Sequence, residues 1–169
     1  GSSSLVHRQQ RTIATWKRLL LIQAIFGIPL LIYAMLEMML DVRLLSDQLN
    51  ILVQLVLATI LVISGFGYYQ RGFKHLLLRV PNMDSLVALG TGSAYTYSLI
   101  SVLNIQLGWG LSGFETLYFE AAGTILLFIT FGKWLESMAR GKTTEALTGL
   151  MEQMPTEAEV KREGTWITL

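Results

Sequence analysis

The chain has 169 residues, of which 52% are hydrophobic and 15% are charged, and its formal net charge is +1. Soluble domains carry about 25% charged residues, so this composition argues against a soluble protein. Because the chain has no cysteine, its sequence excludes a disulfide, a thiolate metal site and a thiol nucleophile.

Four apolar runs dominate the sequence, and each approaches the roughly 20 residues that a membrane-spanning helix needs. They are Leu19–Leu40, Leu49–Phe66, Leu86–Leu107 and Leu117–Leu135. Short loops separate the first run from the second and the third from the fourth. We therefore predict an all-α integral membrane protein whose four transmembrane helices form two antiparallel hairpins.

Positive charges distinguish the two sides of the predicted membrane protein. Lys and Arg residues precede the first run, follow the second and flank the end of the fourth. Loops 41–48 and 108–116 contain only Arg43 of these residue types. The positive-inside rule then places both termini in the cytoplasm. We expect a bacterial inner membrane as the default location.

The second run changes character at Ser64, Gly65 and Gly67, where closely spaced glycines predict a kink in the helix. Residues 68–79 are amphipathic, so we interpret them as a helix that lies in the cytoplasmic interface. The cations of this segment that we single out are Arg71, Lys74 and Arg79. They either contact anionic lipid or form a docking surface for an acidic partner.

The third run begins at a clear helix boundary. Pro81 ends the preceding helix, because a residue before proline disfavours the α region. Asn82 or Asp84 can then cap the next helix. The fourth run carries Glu120 and Glu136, which lie about 24 Å apart along a helix axis. Each glutamate is either a functional group or an acid solvated near one membrane face.

Helical periodicity continues past the fourth run through Glu136–Met154 and ends at Pro155. Residues 156–169 then alternate polar and apolar side chains around Glu163-Gly164, which predicts a β-hairpin. A lone strand pair is marginally stable in water. We therefore expect these residues to be the first edge of a further soluble domain.

Residues 82–92, 118–122, 132–136 and 141–158 together carry a family resemblance. They resemble the copper(I)-transporting members of the heavy-metal class of P-type ATPases. Residues 82–92, NMDSLVALGTG, are similar to the start of that family's first core helix and carry the most specific motif. Residues 118–122, YFEAA, and 132–136, GKWLE, are similar to its second core helix. Residues 141–158 resemble the stalk that leads into the actuator domain. The resemblance covers about residues 12–169.

This resemblance implies a division of the chain into five segments. They are a cytoplasmic tail (1–11), a class-specific helix hairpin with a kinked amphipathic platform (12–80), two core transport helices (81–140), a cytoplasmic stalk (141–155) and the start of a β-rich actuator domain (156–169). On this basis we expect the chain to be the front membrane part of a pump, cut just inside its actuator domain.

The resemblance also implies roles for individual residues. In that family, the residues matching Met83 and Glu136 form an entrance site for copper(I) at the cytoplasmic face. The glutamate matching Glu120 lies on the exit route. The kinked helix forms a platform where a copper chaperone or the protein's own amino-terminal metal-binding domain docks. The other implied partners are the lipid bilayer and the remaining helices and cytoplasmic domains of the pump, with no nucleic acid.

The chain departs from the family pattern in two ways. The family's kink has adjacent glycines, whereas the matching pair here is Ser64-Gly65. The sequence also lacks the Cys-Pro-Cys membrane motif, the Asp-Lys-Thr-Gly-Thr phosphorylation motif and the Thr-Gly-Glu actuator loop. ATP and Mg²⁺ are therefore expected in the parent protein only, and this chain alone cannot hydrolyse ATP.

Two other interpretations stay open. The first keeps the fold and changes the ion to another heavy metal, and the motif at 82–92 argues against it. The second is a non-enzymatic four-helix membrane scaffold or small channel, complete as given. The unfinished hairpin at 156–169 argues against the second, because a finished protein is not expected to stop there.

Overall fold

A computed structural model describes residues 2–41, 43–154, 159–162 and 165–168. The helices and strands in these residues are α1 (Ser2–Leu40), α2 (Asp47–Ser64), α3 (Phe66–Leu77), α4 (Met83–Leu107), α5 (Phe119–Glu152), β1 (Glu159–Arg162) and β2 (Thr165–Thr168). The chain divides into a larger unit, residues 16–134, and a smaller unit that combines residues 1–15 with 135–169.

Among the described residues, three helical segments are long and apolar enough to cross a membrane. They are Ser3–Leu40, Asp47–Ser64 and Met83–Leu107. The first three predicted spans are thus confirmed as apolar helices of sufficient length. The fourth apolar run lies in α5, where Glu120, Lys133 and Glu136 lower the mean hydropathy. That α5 also crosses the membrane stays a prediction.

The core of the larger unit lies where α1, α2 and α5 meet. Leu30, Leu61 and Leu126, one from each of these helices, are at most 1% exposed. A Cβ atom on Gly123 of α5 would lie 2.8 Å from Leu61 Cδ1 and 3.1 Å from Leu30 Cδ2. The missing side chain at position 123 therefore lets the three helices approach closely, as small residues do in membrane bundles.

The break between α2 and α3 falls at Gly65, which lies between Ser64 and Phe66. The Gly65 amide donates to the Leu61 carbonyl at 3.0 Å, and the Ser64 hydroxyl donates to the same carbonyl at 2.7 Å. Gly67, also named from the sequence, lies inside α3. The single glycine at position 65 is thus where the chain changes from one helix to the other.

The Asn104 side chain makes several hydrogen bonds to the loop between α4 and α5. The Asn104 amide group donates to the Leu111 carbonyl at 3.1 Å and to the Phe114 carbonyl at 2.9 Å. Its oxygen accepts from the Leu111 amide at 2.9 Å. Glycines with positive φ let the chain turn here. They are Gly108, Gly110 and Gly113.

In the smaller unit, the predicted tail at residues 1–11 is helical from Ser2 onward. No proline or glycine interrupts this stretch, and it packs against α5. Gln9 Nε2 donates to the Ser137 carbonyl at 3.1 Å, and the Ile13 side chain lies 2.9 Å from where a Cβ on Gly141 would be. These contacts explain why the segment belongs to α1.

The strands at the end of the chain pair in antiparallel fashion. Glu159 is opposite Thr168, and Arg162 is opposite Thr165. The sequence predicts a hairpin in this region, although its proposed turn, Glu163-Gly164, lies outside the described residues. Pro155, the predicted end of the long helix, also lies outside them, and α5 ends at Glu152.

Candidate functional site

The start of α4 is fixed by its own side chains. Asn82 Oδ1 accepts from the Ser85 amide at 3.0 Å, while Ser85 Oγ accepts from the Asn82 amide at 3.3 Å. This reciprocal pair is a capping box, which satisfies amide groups that the first helical turn leaves free. Met83 is the first residue of the helix and is 48% exposed. Its thioether is therefore accessible on a well-defined turn.

The first turn of α4 lies directly against α3. Ser85 Oγ donates to the Gly72 carbonyl at 2.7 Å, and both residues are buried. A Cβ atom on Gly72 would lie 2.4 Å from the Asp84 carbonyl oxygen and 2.8 Å from Ala88 Cβ. Only glycine permits this approach without a shift of the backbone. The two helices thus meet through main-chain atoms, two residues from Met83.

Arg71 and Asp84 form an ion pair beside this contact. Arg71 Nε donates to Asp84 Oδ2 at 2.9 Å, with the arginine side chain 47% and the aspartate side chain 10% exposed. The guanidinium carbon also lies 5.4 Å from the Tyr68 ring centroid and 6.0 Å from the Trp16 ring centroid. Arg71 therefore binds groups of its own unit, although the sequence places it among the docking cations.

Two tyrosines of α3 connect this helix to its neighbours. The Tyr68 hydroxyl lies 2.9 Å from Thr130 Oγ1 of α5, and the Tyr69 hydroxyl lies 2.7 Å from Thr91 Oγ1 of α4. Burial raises the pKa of both phenols above its usual value, and this effect outweighs the lowering by the threonine hydrogen bonds. Both tyrosines are thus neutral hydrogen-bonding groups at physiological pH.

The other two cations of the predicted platform are free of such packing. Lys74 and Arg79 are exposed. Lys74 lies in the last turn of α3, and Arg79 has φ 56° just after the helix ends. The described part of the platform therefore presents these two charges to solvent or to the lipid surface.

Glu136 lies on α5 within the smaller unit and is exposed. Its Oε1 accepts from Arg140 Nη2 at 2.6 Å, one helical turn further on. Met83 belongs to the larger unit. The pairing of Met83 with Glu136 therefore stays a prediction from the sequence.

Glu120 is half-buried in the first turn of α5, beside a cleft of about 450 Å³. The cleft is also lined by Met35, Glu37 and Asn50. Asn50 Nδ2 donates to Glu37 Oε1 at 3.2 Å. Nearby, the Tyr118 amide donates to Ser98 Oγ at 2.7 Å, which fixes the start of α5 against α4. Carboxylates and thioethers thus surround one opening at this end of the larger unit.

No cluster of three or more His, Asp or Glu residues that could hold a metal ion occurs within residues 2–41 and 43–154 or the two strands. A resident metal site of carboxylates and imidazoles is thus not part of what the structure describes. Methionine thioethers, which suit a soft monovalent ion, are not among the ligand types counted in such a cluster.

Copper-transporting and copper-exporting ATPases are among the known proteins that this chain is similar to. Copper-transporting ATPase 2 of Homo sapiens is 32% identical over 160 residues, which cover 88% of this chain and 11% of that protein. A copper-exporting P-type ATPase of Staphylococcus saprophyticus is 37% identical over 145 residues, 85% of this chain and 18% of its own length. A copper-exporting P-type ATPase of Staphylococcus epidermidis is 33% identical over an alignment of 172 positions. The alignment covers 100% of this chain and 21% of that protein.

No protein-family profile matches the chain. The relatives nevertheless align with most or all of it. The chain belongs with the copper-transporting P-type ATPases. It spans between 11% and 21% of the length of these three relatives. The resemblance inferred from residues 82–92, 118–122 and 132–136 is thereby confirmed.

As a segment related to copper-transporting P-type ATPases, the chain contains site residues that sequence reasoning missed. Sequence analysis gave Asp84 only as a possible cap, and it gave Gly72 and Ser85 no role. Two signals pointed to them: the Asn-x-x-Ser spacing of a capping box at Asn82, and the opposite charges of Arg71 and Asp84 on either side of Pro81.

Proposed function

We propose that this chain forms part of the membrane region of an ATP-driven copper(I) export pump. In this proposal it guides copper(I) from a cytoplasmic entrance site into the membrane, and ATP and Mg²⁺ act elsewhere in the parent protein. The proposal is supported by three apolar helices of membrane-spanning length and by relatives whose names specify copper transport or export.

We further propose that α5 is a fourth span and that both termini face the cytoplasm of a bacterial cell. The apolar run Leu117–Leu135 supports the fourth span. The concentration of Lys and Arg before the first run and after the second supports the orientation. The paired strands β1 and β2 fit the start of an actuator domain.

The observation that carries the copper function is the placement of Met83. Its thioether is about half exposed, at the capped first residue of a membrane-spanning helix. Thioethers are soft ligands that favour copper(I). In our proposal Glu136 supplies a carboxylate from the cytoplasmic end of the predicted fourth span. A neutral thioether and an exposed carboxylate bind copper(I) weakly. Weak binding suits a site from which the ion must move on.

In our proposal α3 is the platform where the copper donor docks, whether a chaperone or an amino-terminal metal-binding domain. The exposed Lys74 and Arg79 would attract an acidic surface on that donor. Since α3 contacts the first turn of α4, a donor on α3 would be close to Met83. At the opposite end, Glu120 would lie on the exit route, next to the cleft with Met35 and Glu37.

An anaerobic copper(I) competition titration of the detergent-solubilised chain tests the entrance site. We expect wild type to bind about one copper(I) weakly, and Met83→Ala and Glu136→Ala to lose that binding. Met151→Ala is the matched thioether control, because Met151 is 62% exposed near the C-terminal end of α5. Glu145→Ala is the matched carboxylate control on α5.

The result that contradicts the proposal is equal copper(I) binding by wild type, Met83→Ala and Glu136→Ala. Equal losses in Met151→Ala and Met83→Ala would also contradict it, since binding would then reflect exposed methionines in general. A parallel titration with zinc(II) tests the ion. Zinc(II) binding that is stronger than copper(I) binding and depends on Met83 would favour a pump for another metal.

A further inference from the structure

We propose that Asp84 is a positioning residue for Met83 and that it acts through Arg71. The inference rests on the proposed copper function, because it assigns a role to the residue next to the proposed ligand. The ion pair and the main-chain contact at Gly72 would hold α3 and the first turn of α4 as one rigid body. A donor docked on α3 would then face a methionine at a fixed position.

The first step is that Arg71 takes part in the contact between α3 and the first turn of α4. Its guanidinium is shared by the Asp84 carboxylate and the faces of Tyr68 and Trp16. An arginine guanidinium held near aromatic faces is attracted by the negative charge of the ring faces. Exposed Lys74, by contrast, has no such ring contact within the described residues. Arg71 is thus an internal counterion on the platform helix.

The second step is that Asp84 depends on Arg71. The Asp84 side chain is 10% exposed, and its Oδ1 has no hydrogen-bond partner within the part of the chain that the structure describes. A buried carboxylate whose partner is removed becomes an uncompensated charge, which is strongly unfavourable. Without Arg71 the Asp84 side chain is no longer held against α3, and it gains solvation by moving toward water. That movement would carry the first turn of α4 with it.

The third step is that such a movement would displace Met83. Asp84 directly follows Met83, and Ser85 carries both the capping box and the hydrogen bond to Gly72. Binding ligands must be held within roughly 0.5 Å of their productive geometry by the residues that support them. A shift of this turn would therefore weaken copper(I) binding without changing the ligand itself.

A double-mutant cycle tests the proposal on the 169-residue chain, with anaerobic copper(I) competition as the measurement. Arg71→Gln and Asp84→Asn should each weaken copper(I) binding about threefold to tenfold, and the double variant should weaken it no further than either single one. Asp84→Glu should restore most of the affinity. The matched control is the pair Arg43–Asp47, also joined at 2.9 Å but 67% and 76% exposed. Arg43→Gln should leave copper(I) affinity unchanged.

A distance measurement provides a second readout that does not depend on copper. Because the chain has no cysteine, spin labels can be attached only at introduced cysteines, here at the exposed positions Gln70 and Leu86. Electron–electron resonance should give a narrow distance distribution between α3 and α4. Asp84→Asn should broaden it, and Asp84→Glu should restore it.

The outcomes separate this inference from the proposed function. If Met83→Ala abolishes copper(I) binding while Asp84→Asn changes neither affinity nor distances, the positioning role is refuted and the copper function stands. If Met83→Ala binds copper(I) as wild type does, the copper function is refuted, and the positioning role with it. If a single variant fails to fold, the double variant is measured instead, because it leaves no unpaired charge. Wild-type copper(I) affinity in the double variant refutes the positioning role.

Discussion

The contact between α3 and α4 at Gly72 makes a quantitative prediction for Gly72→Leu. A Cβ at this position would lie 2.4 Å from the Asp84 carbonyl oxygen, whereas a carbon–oxygen contact needs about 3.3 Å. The helices must therefore separate by about 1 Å. Overpacking of this kind costs about 1–3 kcal/mol.

The same separation would stretch the Ser85 Oγ to Gly72 hydrogen bond from 2.7 Å to a length at which it no longer forms. Losing it adds about 0.5–1.5 kcal/mol. We therefore expect Gly72→Leu to lower the free energy of unfolding by about 2–4 kcal/mol.

The assay is unfolding in mixed micelles of a mild detergent and sodium dodecyl sulfate, followed by circular dichroism. Gly90→Leu is the matched control, because a Cβ on Gly90 would meet no atom within 4 Å and this residue lies on α4, the helix that Gly72 contacts. Equal midpoints for Gly72→Leu and Gly90→Leu would refute the reasoning, since they would mean that the close approach of the two helices contributes nothing to stability.

Two further predictions concern hydrogen bonds that fix α3 and α5. Tyr68→Phe leaves the buried Thr130 hydroxyl without its tyrosine partner and should lower the free energy of unfolding by about 1 kcal/mol in the same assay, whereas adding Thr130→Val should restore most of the loss. An unchanged midpoint in Tyr68→Phe would contradict this. Ser98→Ala removes the acceptor of the Tyr118 amide, so hydrogen exchange at Tyr118 should become faster. Wild-type exchange there would show that Ser98 does not hold the start of α5.

Local patterns in the sequence predicted much of the fold. Runs of apolar residues identified three helices of membrane length, and Pro81 followed by Asn82 located the start of α4. Alternation of polar and apolar residues indicated the strands at 159–162 and 165–168. Each of these features depends on neighbours in the chain, which is why a single sequence is sufficient to find them.

Features that depend on tertiary contacts were missed. The contacts of residues 1–11 with α5 join residues more than a hundred positions apart, so local patterns do not reveal them. Arg71 was assigned to the solvent-facing side of an amphipathic helix, since its pairing with Asp84 requires the chain to turn back at Pro81. The fourth span remains a prediction because charged residues at both ends of its apolar run lower its mean hydropathy.

The loop held by Asn104 has a consequence for how the protein fits bilayers of different thickness. One amide side chain satisfies three main-chain groups of this loop, at Leu111 and Phe114, which would otherwise need water. Trp109 and Leu111 are 53% and 44% exposed, so the loop surface is apolar as well as internally bonded. Such a loop keeps these three hydrogen bonds when it sits among lipid headgroups, and tryptophan favours that depth. A thicker membrane can therefore draw this end inward at little cost, which makes the loop a buffer against hydrophobic mismatch.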